Sequence, residues 1–372
     1  MMRFFTALFL FCSPLLAQSW AAFDVTLQLD FVSADQLVGL YDGTEGQAHR
    51  VGELRGNRIA AATSLMLARR SASPELFLKA LESFQAHFSS ADDLFGLKET
   101  QNRISEVRSL LAECKRRQLD RRVLATIRQF FPENAPVSIT IPVYFVAFGN
   151  ENASAYVRRV LWKGDTPMFV GDEDGTPVIV VNLTRSAQQG DDLQSRFVEV
   201  LSTLGHETFH AVFSAYQAQS MVWQNLHARQ TSAGVVAELV QNEGVAYYLS
   251  MQEVFGGSFP PQFILQLQKS IPALNAALDE LSDPRTTSQR ARELILNANL
   301  SGSMEKNYGA AAGLLMAYHI DAKLGRKVLA ESLVAGPADF FRKYDEVVRH
   351  YADAPPLSPH LLQELQKEEE PR

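Results

Sequence analysis

Among the eight histidines of the chain, only His206 and His210 form a close pair, within Ser202-Thr203-Leu204-Gly205-His206-Glu207-Thr208-Phe209-His210. On a helix these two imidazoles stand one turn apart on one face and can hold a single Zn²⁺. Glu207 lies at the edge of that face, where a carboxylate can take a proton from water activated by the metal. The chemistry such a set supports is hydrolysis. A string this short also arises by chance, so its surroundings must support it.

They do. From Leu193 to Ala215 there is no proline, and Phe197, Leu201, Leu204, Thr208 and Val212 recur at a helical period. They form one buried stripe, while the histidines project from another face beside the small Ser202 and Thr203. Zinc needs a third protein ligand and one open position. The best donor lies in a second helical pattern, Val235 to Leu249, whose apolar stripe runs through Val236, Leu239, Val240, Ala246, Tyr247 and Ser250. Glu243 falls within that stripe, whereas Glu238 points away from it. A buried carboxylate needs a cation, and both an arginine and the metal would serve.

His206-Glu207-Thr208-Phe209-His210, followed by a helix carrying Asn242-Glu243-Gly244-Val245-Ala246, resembles the glutamate-ligand zinc peptidases, the gluzincins. More narrowly, it is similar to the bacterial group named putative zinc-dependent peptidases. A later segment, Tyr308-Gly309-Ala310-Ala311-Ala312-Gly313-Leu314-Leu315-Met316-Ala317-Tyr318-His319-Ile320, also resembles that group's C-terminal part. The resemblance covers about residues 137 to 330. It implies Zn²⁺ bound by His206, His210 and Glu243, with Glu207 as general base, in an α+β, mostly helical, thermolysin-like zincin core with a small sheet. The spacing from His210 to Glu243 is longer than in the best-known members, so an extra helix or loop must fill it. A donor to the developing oxyanion is still required. Tyr308 and His319 share a face of one helix. Tyr308 is the choice, because it opens the family-like segment and a phenol donates without first being charged; a tyrosine that serves only packing is the alternative.

The elements that must position these groups are legible in outline. Phe23 to Phe31 alternates as a strand, and Ser33 caps a short helix to about Tyr41. Helices follow at Ile59–Arg69, Pro74–Phe88, Leu97–Arg117 and Asp120–Phe131. Their arginines and lysines, from Arg103 to Arg122, read as solvated faces interleaved with glutamates. From Pro136 the texture changes to a β-branched run, Val137–Phe148, whose Pro142 argues for an edge or a bulge. A second strand, Pro177–Leu183, precedes the motif helix, and Asp172-Glu173-Asp174-Gly175 is a turn without a calcium-loop pattern. An exposed edge of that sheet could hold an extended peptide. Later helices are expected at Pro261–Ser270, Ala273–Leu281, Ser288–Leu296, from Tyr308 onward, Phe340–Tyr351 and Pro359–Lys367, with an acidic tail. Gly313 and Ala317 would permit close packing.

This organisation predicts a leader at residues 1–21, an N-terminal strand plus helical region at 22–135 and a catalytic region at 136–372. Met1-Met2-Arg3 and the apolar Phe4–Leu16 have the form of a signal peptide, too short to span a bilayer, and imply an exported, periplasmic or extracellular protein. With 46% apolar and 21% charged residues the chain is ordinary globular material. A net charge of −7 supplies no basic footprint for nucleic acid. Once a leader is removed, Cys114 has no partner for an intrachain disulfide. Peptide or protein is the expected substrate. Two other readings stand beside it: a non-peptidase zinc hydrolase on the same scaffold, and a non-catalytic exported binding protein with a chance motif.

Overall fold

The structure is a computed structural model and describes residues 23–41, 47–85, 93–133, 135–171, 174–299 and 307–359. The expected leader, and the expected last helix beyond Pro359 with its acidic tail, lie outside the described residues.

Among the described residues the protein is mostly helical around one five-stranded open sheet of order β1-β2-β5-β3-β4. Its strands are β1 (Phe23–Asp30), β2 (Val137–Val146), β3 (Ala155–Lys163), β4 (Thr166–Phe169) and β5 (Thr176–Asn182). β1, β2 and β5 run parallel, with Phe23 opposite Val137 and Val143 opposite Ile179. β3 returns antiparallel to β5, and β4 antiparallel to β3. Parallel neighbours need long crossovers. The first is helical: α1 (Val32–Leu40), α2 (Gln47–Glu53), α3 (Arg55–Leu67), α4 (Pro74–Gln85), α5 (Leu97–Asn102), α6 (Ile104–Arg116) and α7 (Leu119–Arg128). The second is the β3–β4 hairpin, closed by Gly164-Asp165 with Gly164 at φ +57°, the positive φ that a two-residue hairpin turn demands.

After β5 come α8 (Leu183–Ala187), α9 (Leu193–Gln219), α10 (Met221–His227), α11 (Ser232–Val254), α12 (Pro261–Gln268), α13 (Ser270–Leu281), α14 (Ser288–Ala298), α15 (Tyr308–Leu324), α16 (Arg326–Ala335) and α17 (Pro337–His350). One apolar core joins Leu37 of α1 and Val123 of α7 to Phe209 of α9 and Leu315 of α15. The N-terminal strand and helices therefore share a sheet and a core with described elements on both sides of the motif helix, from β2 to α15.

α9 is the central element. Asp192 caps it by accepting from the Ser195 amide at 2.7 Å, and its 27 residues extend for about 40 Å. The expected stripe of Phe197, Leu201, Leu204, Thr208 and Val212 is buried throughout. Arg117 and Arg122, from the basic stretch, stack on Phe197 at its start, while Arg103 and Arg116 pair with Glu99 and Glu113. Ser220 ends α9, and α10 fills the long interval before α11. α11 then crosses α15 at Gly244 and Gly313, where a β-carbon on Gly313 would lie 1.9 Å from the Val240 carbonyl oxygen. Only glycine permits that approach.

Several expectations need correction. The helix expected over Leu97–Arg117 is two helices, broken at Arg103 (φ −121°). β2 is an interior strand. Pro142 is tolerated because β5 pairs only with Val143–Val146 and leaves β1 as its sole neighbour there. Helix α1 starts at Val32, whose amide bonds to Asp30, so Ser33 is not its cap. β3, β4, α2, α8 and α16 were not foreseen.

Candidate metal centre

α9 and α11 pack side by side and bring the three expected ligands together. His206 Nε2 lies 3.0 Å from His210 Nε2, and Glu243 Oε2 lies 3.6 Å and 3.4 Å from those two nitrogens. A tetrahedral zinc with bonds of about 2.0–2.1 Å sets its ligands about 3.3 Å apart. The triangle fits that ion. No other described group of three such side chains meets this condition.

The next layer of contacts fixes which atoms face inward. His210 Nδ1 lies 2.9 Å from Asn242 Oδ1. Donation from Nδ1–H to this amide oxygen leaves the Nε2 lone pair for the metal. Asn299, at the end of α14, donates to Glu243 Oε1 at 2.6 Å, so Oε2 is the oxygen turned to the histidines. The Tyr247 ring stands edge-on to His206, centroids 4.6 Å apart and planes at 65°. Tyr247 is one turn beyond Glu243, so the helix that supplies the carboxylate also braces the first histidine.

Without metal the cluster holds a proton. Burial resists the charged form of His210, but Glu243 overrides it and the imidazole pKa rises to about 9. For Glu243, burial favours the neutral acid, yet His210 and His206 hold the carboxyl well below its usual range. A protonated His210 on an ionised Glu243 is what a divalent cation displaces, and binding it releases a proton.

Glu207 points the other way from the core stripe. Burial raises its carboxyl pKa against the pull of His206 and His210, Glu243 adds to the rise, and a hydrogen bond with the Val157 main chain opposes it. A carboxylate made more basic and set beside the cluster suits proton abstraction.

Val157 belongs to the unforeseen strand β3. β4 pairs with β3 only from Val160 onward, after a bond from the Val170 amide to the Arg159 carbonyl at 3.1 Å. Among the described residues no strand covers Ala155–Arg158 on that side. Val157 has the same orientation as Arg159, so its main chain faces outward from this open edge. There its carbonyl accepts from the Arg158 guanidinium at 2.9 Å. Between the edge and the helices lies a cleft of about 610 Å³, walled by β3, by Glu207, His210, Ser214 and Gln217 of α9, and by Glu238, Asn242 and Glu243 of α11. Glu238 sits at its far end, held by Gln217, His227 and Gln230.

The structure does not place the expected oxyanion donors here. The Tyr308 hydroxyl donates to the Leu294 carbonyl at 2.8 Å. The charges that act on it are Arg290 and Glu280 rather than the cluster, and burial pushes its pKa up to about 12. His319 is buried between the rings of Tyr318 and Tyr344. A shared helix face was a correct reading of spacing, but that face turns to α13, α14 and α17. Sequence reasoning missed Asn299 and treated Tyr247 only as packing. It also missed β3, despite the Gly-Asp hairpin signal and the β-rich Tyr156-Val157 and Val160-Leu161-Trp162, because Arg158-Arg159 interrupts the apolar alternation.

A family model described as "Putative zinc dependent peptidase (DUF5700)" matches residues 52–353. No curated protein and no solved structure matches the chain.

Proposed function

The chain belongs to this DUF5700 family of zinc-dependent peptidases, and on that premise we propose that it hydrolyses peptide bonds in extended polypeptides after export from the cell. One observation carries the reading. His210 and Glu243 of the ligand triangle, the basic Glu207 carboxylate and an uncovered strand edge all line one cleft. An edge with no strand paired to it can take a peptide main chain once the Arg158 guanidinium leaves the Val157 carbonyl it holds, which favours a peptide over a small ester. The leader-like residues 1–21 support export, and among the described residues no helix is long and apolar enough to cross a membrane.

His206, His210 and Glu243 would hold Zn²⁺, with Asn242 and Asn299 keeping their donor atoms turned inward. The ion supplies polarisation of the scissile carbonyl and a lowered pKa for the attacking water. Glu207 takes the proton of that water and returns it to the leaving amine. Val157 orients Glu207 from the edge strand, so substrate alignment and proton transfer share one element.

The deciding experiment is Glu207→Gln. The amide keeps the shape and leaves the ligands untouched, so zinc content and fold should persist. Turnover of an unfolded, casein-like protein should fall about 10²–10⁴-fold, the usual contribution of a positioned general base. Cleavage at the wild-type rate would remove general-base chemistry from this site, and hydrolysis of esters alone would transfer the site to a non-peptidase hydrolase.

A further inference from the structure

The β3–β4 hairpin carries an apolar pair that the fold leaves uncovered. Leu161 and Met168 are directly opposite one another across the two strands, and each is 46% exposed. Side chains alternate along a strand, so Leu161 lies on the same face of β3 as Val157 and Arg159. That face is the cleft side, because Arg159 reaches Ser214 of α9. The next residue along β3, Trp162, lies on the opposite face, under Arg55 of α3. The apolar pair thus continues the wall of the cleft beyond the end of α9's cover.

The course of a bound chain follows from the sheet. A segment aligned on the open edge at Ala155–Arg158 cannot continue within the sheet, since β4 occupies that edge from Val160 onward. It must leave the plane of the sheet, and on the cleft side its path crosses Leu161 and Met168. From Val157, beside Glu207, to Leu161 is four strand residues, about 13 Å. That span matches about four residues of an extended substrate. Antiparallel addition is the more stable pairing, and it carries the substrate's N-terminal side past the hairpin.

We infer that Leu161 and Met168 form a docking surface for an apolar side chain about four residues N-terminal to the scissile bond, which makes unfolded, apolar-rich polypeptide the substrate class. This rests on the peptidase reading above. Full coverage of such a pair is worth about tenfold in affinity.

The test uses the full chain with zinc bound and two fluorogenic twelve-residue peptides, identical except for Leu or Asp at that position. Wild type should prefer the Leu peptide by about tenfold, mostly through KM. The Leu161→Ser/Met168→Ser variant should reduce the preference to less than twofold, whereas Leu265→Ser, at a still more exposed site on α12, should not change it. A preference identical in wild type and the double variant overturns the inference while the peptidase reading stands. If wild type cleaves neither peptide, the peptidase reading is what fails. The surface is then read from fluorescence anisotropy of the labelled peptides on Glu207→Gln protein. Tighter binding of the Leu peptide that disappears with Leu161→Ser/Met168→Ser supports the surface, and equal binding of both peptides refutes it.

Discussion

Replacing Gly313 by alanine adds one methyl group to α15, and the structure determines where that group must go. The new β-carbon would lie 1.9 Å from the Val240 carbonyl oxygen and 2.8 Å from the Gly244 α-carbon. Both contacts are backbone, so no side chain can rotate to relieve them. Reaching an ordinary carbon–oxygen contact of about 3.3 Å requires the helices to part by more than about 1 Å, an overpacking penalty of about 1–3 kcal/mol or more. The gain in helix propensity from Gly to Ala offsets at most about 1 kcal/mol. A net loss of about 2 kcal/mol corresponds to about 3 °C in Tm for a chain of this size. The larger effect should be on metal. Glu243 precedes Gly244 and moves with α11, while His206 and His210 stay on α9. A shift of about 1 Å takes the carboxylate out of reach of bonds of about 2.0–2.1 Å. Zinc affinity, measured by competition with a chromophoric chelator, should fall at least tenfold, alongside the Tm shift in calorimetry. Gly52→Ala is the control, since its β-carbon meets nothing closer than 3.6 Å. If Gly313→Ala keeps wild-type Tm and zinc affinity, then the close crossing of α11 and α15 does not hold Glu243 in place.

Asn242→Ala should leave the fold intact but free the His210 ring, lowering zinc affinity about 10–100-fold in the same chelator competition. The His210 pKa, raised to about 9 beside Glu243, sets a pH signature. In metal-free protein the proton on His210 stabilises the fold fully below the unfolded imidazole pKa of about 6.5, and that contribution is lost as pH rises through about 9. The Tm of the metal-free protein should therefore decline over that window, and zinc-loaded protein, having no such proton, should lack the decline. Zinc affinity should run the opposite way and weaken as pH falls below about 9, with proton release visible as a buffer-dependent binding enthalpy in calorimetry. Tyr308→Phe removes only the bond to Leu294, so stability should fall by about 1 kcal/mol in denaturant titration while kcat is unchanged. A tenfold loss of kcat would return Tyr308 to the reaction.

What the sequence determined by itself was whatever depends on local helical period. His206, Glu207 and His210 share one helix, so their spacing alone brings the two imidazoles together. Glu243 stood out because a carboxylate within an apolar stripe needs a cation, and its helix needed no partner to be recognised. The long interval to Glu243 required an extra element, and α10 supplies it. The small side chains of the Tyr308 helix announced a close crossing, and Gly313 makes it. Tertiary structure alone decided everything set by where separate elements meet. Tyr308 and His319 keep their shared helix face, but the placement of α15 against α13, α14 and α17 turns that face into packing. Asn299 reaches Glu243 from another helix, across 56 residues of chain, and no local period encodes such a meeting. The open edge at Ala155–Arg158 exists because β4 is four residues long and stops pairing at Val160. An edge is defined by where, among the described residues, no strand pairs, and only the assembled sheet decides that.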